Sequence, residues 1–303
     1  MQTLRAYLQL VRLPAVFTAM ADICMGYMLV GNSSFSPAFD FGIVLLASSC
    51  LYLSGMVFND VFDREIDAQE RPERPIPSGR ISWFAATRLG LFLMMMGIGA
   101  AGVAGPQSLY IALGIAAGVF AYDAILKKTP LGPLAMGCCR LLNVMLGASF
   151  GKEVGVFLWA PPQLKVAAWL GVYIIGVTWF ARQEAKTSSR RQLICAMVVA
   201  NLGLAGLLDL LLRFPWPGEP DRKVLAVVFA VIALTINRRL FRAISTPSPE
   251  NVQPAVRTML LSIITLDAVV ILAKSGTENP QYALMTLLLL IPAMFLGRWI
   301  YVT

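Results

Sequence analysis

Gly55-Met-Val-Phe-Asn-Asp-Val-Phe-Asp-Arg-Glu-Ile-Asp-Ala-Gln-Glu-Arg-Pro-Glu-Arg-Pro-Ile-Pro-Ser-Gly-Arg80 concentrates charge as nothing else in this apolar chain does. Asn59, Asp60, Asp63 and Asp67 stand at i, i+1, i+4 and i+8, so on one continuous helix they share an arc of roughly 100°. Carboxylates and an amide carbonyl are hard donors suited to Mg²⁺, which keeps several waters and shares its remaining positions with phosphate oxygens. Arg64, Arg71, Arg74 and Arg80 follow, and guanidinium forks match phosphate oxygens in pairs. Two readings are open at this point: a solvated basic loop between membrane helices, or a site for a metal-bound diphosphate. Three aspartates on one face repel each other and need cations beside them, which favours the second.

Outward from this stretch the chain is almost entirely apolar. Of its 303 residues 57% are hydrophobic and 14% charged, and the mean hydropathy of +0.70 lies outside the range of soluble globular domains. Apolar runs long enough to cross a bilayer lie near 11–31, 41–60, 83–104, 107–123, 131–151, 164–183, 192–213, 223–241, 256–274 and 281–300. The pattern predicts an all-α, polytopic transmembrane bundle. Every connection is too short for a separate soluble domain, so 1–303 reads as a single transmembrane domain.

Basic residues occupy alternate connections: Arg5 and Arg12, Arg64 to Arg80, Lys127 and Lys128, Lys186 to Arg191, and Arg238 to Arg242. The intervening connections 32–40, 105–106 and 275–280 contain no Lys or Arg. This asymmetry predicts a multi-pass protein of the inner or cell membrane, with the N-terminus and the acidic stretch facing the cytoplasm. Lys152, Arg213, Arg222 and Lys223 break the alternation. The first apolar run has no small-residue cleavage site behind it and is expected to remain as a span.

The chain has no histidine, which removes Ser-His-Asp and Cys-His catalysis and any imidazole metal site. Its five cysteines form no CxxC pair, so neither zinc nor a disulfide framework is indicated. Any metal must be held by oxygen. The net charge of +8 is explained by basic loops beside anionic headgroups. The basic residues form no continuous face, so nucleic acid is not an expected partner.

Asn59-Asp60-x-x-Asp63-x-x-x-Asp67 followed by Arg71-Pro72-x-Arg74-Pro75-Ile76-Pro77-Ser78-Gly79 resembles the first aspartate-rich motif of the UbiA superfamily of membrane prenyltransferases. The resemblance implies nine transmembrane helices around a central cavity open to the cytoplasm. Nine to ten spans are therefore expected, with one of the last four segments re-entrant or interfacial, or one helix extra. It also implies an isoprenyl diphosphate donor, an unidentified acceptor within the membrane lipid, and Mg²⁺ on Asn59, Asp63 and Asp67 with Asp60 in support. A lipid-binding or transport protein that holds the donor without transfer is the competing class.

Further residues match the family in part. Tyr122 and Lys127 resemble its tyrosine-to-lysine signature between the fourth and fifth helices, where the lysine would meet diphosphate; the other reading of Lys127 and Lys128 is interfacial anchoring. Arg140 and Asn143, three apart and so on one face, lie inside an apolar run, where polar groups face a cavity or a partner. Asn143 resembles an N-x-x-x-G element of the family, with an interhelical hydrogen bond as the alternative. Arg12 resembles an arginine at the cavity rim, or is an anchor at the membrane interface. At Arg182-Gln183-Glu184 the sequence departs from the family, because a second aspartate-rich motif is expected and Glu184 alone is acidic. A second metal would rest on Glu184 and waters, or only one metal binds, or the missing charge is replaced by Arg182 or Lys186. The departure, with the Cys-Arg-Leu-Leu-Asn run at 139–143, points to a divergent, EboC-like branch. Asp209 and Asp267 lie in later spans with no basic neighbour in sequence.

Overall fold

The computed structural model describes residues 2–30, 38–150, 158–184, 187–276 and 279–300. Lys152 and Lys186 lie outside them. The described residues form helices joined by short turns: α1 Gln2–Leu10, α2 Leu13–Leu29, α3 Ala38–Phe62, α4 Arg64–Glu70, α5 Trp83–Ala104, α6 Pro106–Ala124, α7 Gly132–Ala148, α8 Gln163–Ala181, α9 Arg190–Arg213, α10 Arg222–Ser245, α11 Pro249–Ser275, α12 Gln281–Leu287 and α13 Leu290–Ile300. A 3₁₀ turn, Leu126–Lys128, precedes α7.

Local chemistry sets many of the boundaries. Pro14, Pro106, Pro133 and Pro249 sit in the first turns of α2, α6, α7 and α11, where a missing N–H costs nothing. Ser82 caps α5 by accepting from Ala85 N, and Asp221 caps α10 by accepting from Lys223 N and Val224 N. Pro72, Pro75 and Pro77 stop any continuation of α4.

Helices form in all ten apolar runs over their described residues. Among the described residues, seven segments are long and apolar enough to cross a membrane, the last being α12 and α13 taken together, or up to eight if α1 and α2, bent by 43° at their junction, count as one. The nine to ten expected exceeds this because two runs fall short. The α6 helix carries Gln107 and Ser108 at one end and Asp123 at the other, and α7 has only 17 residues, with Arg140 and Asn143 among them. The chain is an integral, multi-pass membrane protein.

Packing centres on α2, which touches α3, α7, α11 and α13. Between lipid-soaked helices there is no hydrophobic drive, so close approach depends on small residues. Gly147 faces Ile23 so closely that a Cβ there would lie 2.8 Å from the Ile23 carbonyl, and a Cβ on Gly26 would collide with the Val144 carbonyl. Gly176 and Gly203 let α8 and α9 approach in the same way. In contrast, α10 shows Val227, Val231 and Leu234 on its outer surface, a face for lipid. Gly26→Ala should therefore destabilise the fold by about 1–3 kcal/mol. Gly42→Ala, which would meet nothing within 4 Å, should leave the unfolding midpoint in detergent unchanged; equal midpoints for the two variants would refute the packing account.

Candidate active site

The acidic stretch does not form one helix. Asp63 ends α3 and starts α4, yet Asp63 N still bonds Asn59 O (3.1 Å) and Asp67 N bonds Asp63 O (2.8 Å). The i→i+4 rhythm survives the break, and the four oxygen-bearing side chains stay on one rim.

Each of them meets a partner of complementary charge or polarity. Arg12 sits at the α1–α2 bend with a left-handed backbone, φ 47° and ψ 49°, a conformation uncommon for a residue with a Cβ and frequent at functional sites. Its Nη2 donates to Asp60 Oδ1 (2.9 Å) and Asn59 Oδ1 (3.3 Å). Arg74 returns from the Pro-rich turn and places one nitrogen, Nη1, 2.6 Å from Asp67 Oδ2 and 3.2 Å from Asp60 Oδ1. Lys127 Nζ lies 2.5 Å from Asp63 Oδ1. Arg64 and Arg80 stand outside this set: Arg64 pairs with Glu65 and covers the Trp83 ring, and Arg80 donates to Gln9.

One residue not singled out from the sequence belongs here. Asp123, 5% exposed, accepts from Asn59 Nδ2 at 2.9 Å and lies 3.9 Å from Lys127. It turns the Asn59 amide so that Oδ1 faces Arg12. Its position one helical turn before Lys127, the i,i+4 spacing, was the signal available in sequence.

From the other side, Glu184 follows the end of α8. Burial pushes its carboxyl above the usual range, opposed by the charges of Arg71, Arg12 and Arg74. Burial likewise raises Asp67, against the pull of Arg74. Tyr122 feels the charges of Asp63, Arg12 and Arg182. The rim thus brings together Arg12, Asn59, Asp60, Asp63, Asp67, Arg71, Arg74, Tyr122, Lys127, Arg182 and Glu184. Arg140 and Asn143 are elsewhere. They face α2 in the packed interior and bond Thr18, Ala19, Asp22 and Ser48, the interhelical arrangement.

The donor set suits Mg²⁺ in kind, being oxygen throughout. Among the described residues no three acidic side chains converge on a ready cage, because Lys127 and Arg74 stand against them. Charge neutralisation is thus already built in, and a metal would enter by exchange with these two cations.

The sequence matches the UbiA prenyltransferase family over residues 19–264. The chain belongs to that family. A digeranylgeranylglyceryl phosphate synthase of Methanopyrus kandleri is 34% identical over 164 residues, 52% of this chain and 59% of the relative. Another, from Methanospirillum hungatei, is 37% identical over 177 residues, 57% and 58% of the two chains. This chain spans about half the length of the curated relatives it matches. Among solved structures, a UbiA homolog from Aeropyrum pernix K1 superposes with a TM-score of 0.70 at 17% identity, over 85% of this chain and 97% of that one. A UbiA homolog from Archaeoglobus fulgidus bound to GPP and Mg²⁺ gives 0.63 at 16% identity, over 93% and 99%. The UbiA-like, all-α fold expected from the first acidic motif is the fold observed.

Proposed function

We propose that this UbiA-family chain transfers an isoprenyl group from an isoprenyl diphosphate to an acceptor within the membrane, with Mg²⁺ required and diphosphate released. The observation that carries the reading is the single rim where Asn59, Asp60, Asp63 and Asp67 face Arg12, Arg74 and Lys127. When bound on Asn59, Asp63 and Asp67, with Asp60 in support, Mg²⁺ would neutralise diphosphate charge and draw electrons from the scissile C–O bond. Arg71, Arg74 and Lys127 would take the phosphate oxygens as charge grows on the leaving group. Arg12 and Arg182 would add to that field, Tyr122 would steady the acceptor or the allylic cation, and Glu184 with waters would hold a second metal if one binds. The bond electrons leave with diphosphate, and the acceptor supplies the pair that forms the new bond. Apolar helix walls keep water from the cation.

The alternating basic connections include those that carry this rim, with Arg213, Arg222 and Lys223 as exceptions on the opposite connection, and this bias supports a site open to the cytoplasm of the cell membrane. Diphosphate release from geranyl, farnesyl and geranylgeranyl diphosphate by the purified protein, with and without Mg²⁺ and an acceptor panel, tests the proposal. A prenylglyceryl phosphate belongs in that panel, since the relatives are named for making one. Tight donor binding without release in every mixture, while an active family member works in the same detergent, would favour the carrier. That reading draws on the lone Glu184.

Asp123 acts through Asn59. Asp123→Ala should weaken Mg²⁺ binding about tenfold or more, as loss of an outer partner does at other metal sites. Asp123→Asn keeps an oxygen for the Asn59 amide and should retain most of the affinity. Calorimetric titration of both checks this, and equal losses would refute the positioning role.

A further inference from the structure

A second charged cluster lies deep in the bundle. Asp22 stands ten residues beyond Arg12 on α2, roughly 15 Å along the helix. Its Oδ2 lies 2.7 Å from Arg140 Nε and accepts from Asn143 Nδ2 at 2.8 Å. Ser48 Oγ donates to Asn143 Oδ1 (2.6 Å), while Arg140 Nη2 reaches Thr18 O (2.9 Å) and Nη1 reaches Thr18 Oγ1 (3.3 Å). Asp22 and Arg140 already make a neutral pair between α2 and α7.

Asp267 on α11 is the acid left over. It is 1% exposed, its carboxyl lies within hydrogen-bond reach of Asp22, and neither of its oxygens receives a hydrogen bond from a described donor. Asp22 Oδ1 also lacks one. Cys24 and Thr286 face the pair, and the Tyr173 hydroxyl, near Arg140, is spent on Met259 O. None of these adds positive charge. Two carboxylates against one guanidinium would leave a bare, uncompensated charge in the membrane interior, which is strongly disfavoured.

The shape of the site limits what fills the deficit. The cleft beside Asp267 is walled by Met25, Val166, Leu170, Leu207 and Leu266 and has no room for a water molecule. A metal ion would find three spare oxygens where Mg²⁺ or Ca²⁺ takes six or more. A proton needs only two.

We propose that Asp22 and Asp267 together bind one proton, with Asp267 as the carboxylic acid donating to Asp22 Oδ1. This makes a proton-binding site at the centre of the bundle, separate from the diphosphate rim, tying α11 to α2 and α7. Infrared spectra of the full chain in detergent at neutral pH, in H₂O and D₂O, test it. The wild type should show a carboxylic-acid carbonyl band that shifts on deuteration and is absent from Asp267→Asn. Asp22→Asn should lose the band too, because Asp267 must then ionise to balance Arg140. Asp267→Asn, which copies the size and donor of the protonated acid, should keep the wild-type unfolding midpoint. A wild type without a band sensitive to either substitution overturns the proposal. So does an Asp267→Asn midpoint below that of Asp22→Asn, or a wild-type midpoint raised by Na⁺ or K⁺ through Asp267, which would make the occupant a metal cation.

Discussion

Asp63→Ala should lower Mg²⁺-dependent diphosphate release by at least about a hundredfold while the protein stays folded. Of the four aspartates at the site, Asp63 has the most open side chain, 17% exposed against 5% for Asp60, 6% for Asp67 and 3% for Asp123. It has one cationic partner, Lys127, where Asp60 is held by both Arg12 and Arg74. Asp63 is therefore the acid that would exchange an ammonium for a metal at least cost. A metal supplies several kcal/mol of charge stabilisation, and about 2.7 kcal/mol is a hundredfold in rate. Asp60→Ala should lower stability more, because it strips two arginines of a nearly buried counterion: its unfolding midpoint falls, and its activity per folded molecule falls less than that of Asp63→Ala because Asp60 only supports the metal. Rates normalised to folded protein, measured beside calorimetric midpoints, separate the two. Wild-type release by folded Asp63→Ala would remove Asp63 from the metal set.

The residues that sequence could locate were those whose physics is local. Apolar length predicted the long helices but neither α1 nor α4, and the Asn59 to Asp67 spacing survived a helix break at Asp63 because the i→i+4 bonds persist through it. The breaks carry a signal that apolar length overlooks: Pro14 and Pro292 lack the N–H that a continuous helix would give to Leu10 O and Leu288 O, four residues back. What the sequence does not show is the left-handed backbone that Arg12 adopts at the first of them. Periodicity put Arg140 and Asn143 on one face but could not say which helix that face meets. It meets α2 and Asp22, more than a hundred residues away in the chain. Asp267 stood out as an acid in a span, yet its neighbour Asp22 is a contact that only packing creates. Asp209 was misread, since Arg213 lies one turn on and the two pair at 2.7 Å on the exposed surface.

Arg74→Ala should cost both stability and turnover. One nitrogen of Arg74 bridges two nearly buried carboxylates on different segments, Asp60 of α3 and Asp67 of α4, so it ties the Pro-rich turn to the helix break. Its removal leaves Asp67 without this cationic partner while Asp60 keeps Arg12. Breaking a buried pair from one side costs 3–5 kcal/mol, and the retained Arg12 contact argues for the low end, about 3 kcal/mol. The ion pair's own share is separable. In a double-mutant cycle with Asp67→Asn, which no longer demands a counterion, the second substitution should recover a large part of the stability lost in Arg74→Ala, giving a coupling energy of at least about 1 kcal/mol. Activity should not recover, because the double variant lacks both a proposed metal ligand, Asp67, and an arginine proposed to meet diphosphate, Arg74. Additive stabilities would mean that Arg74 acts by packing alone. Restored turnover would mean that neither group touches the reacting diphosphate.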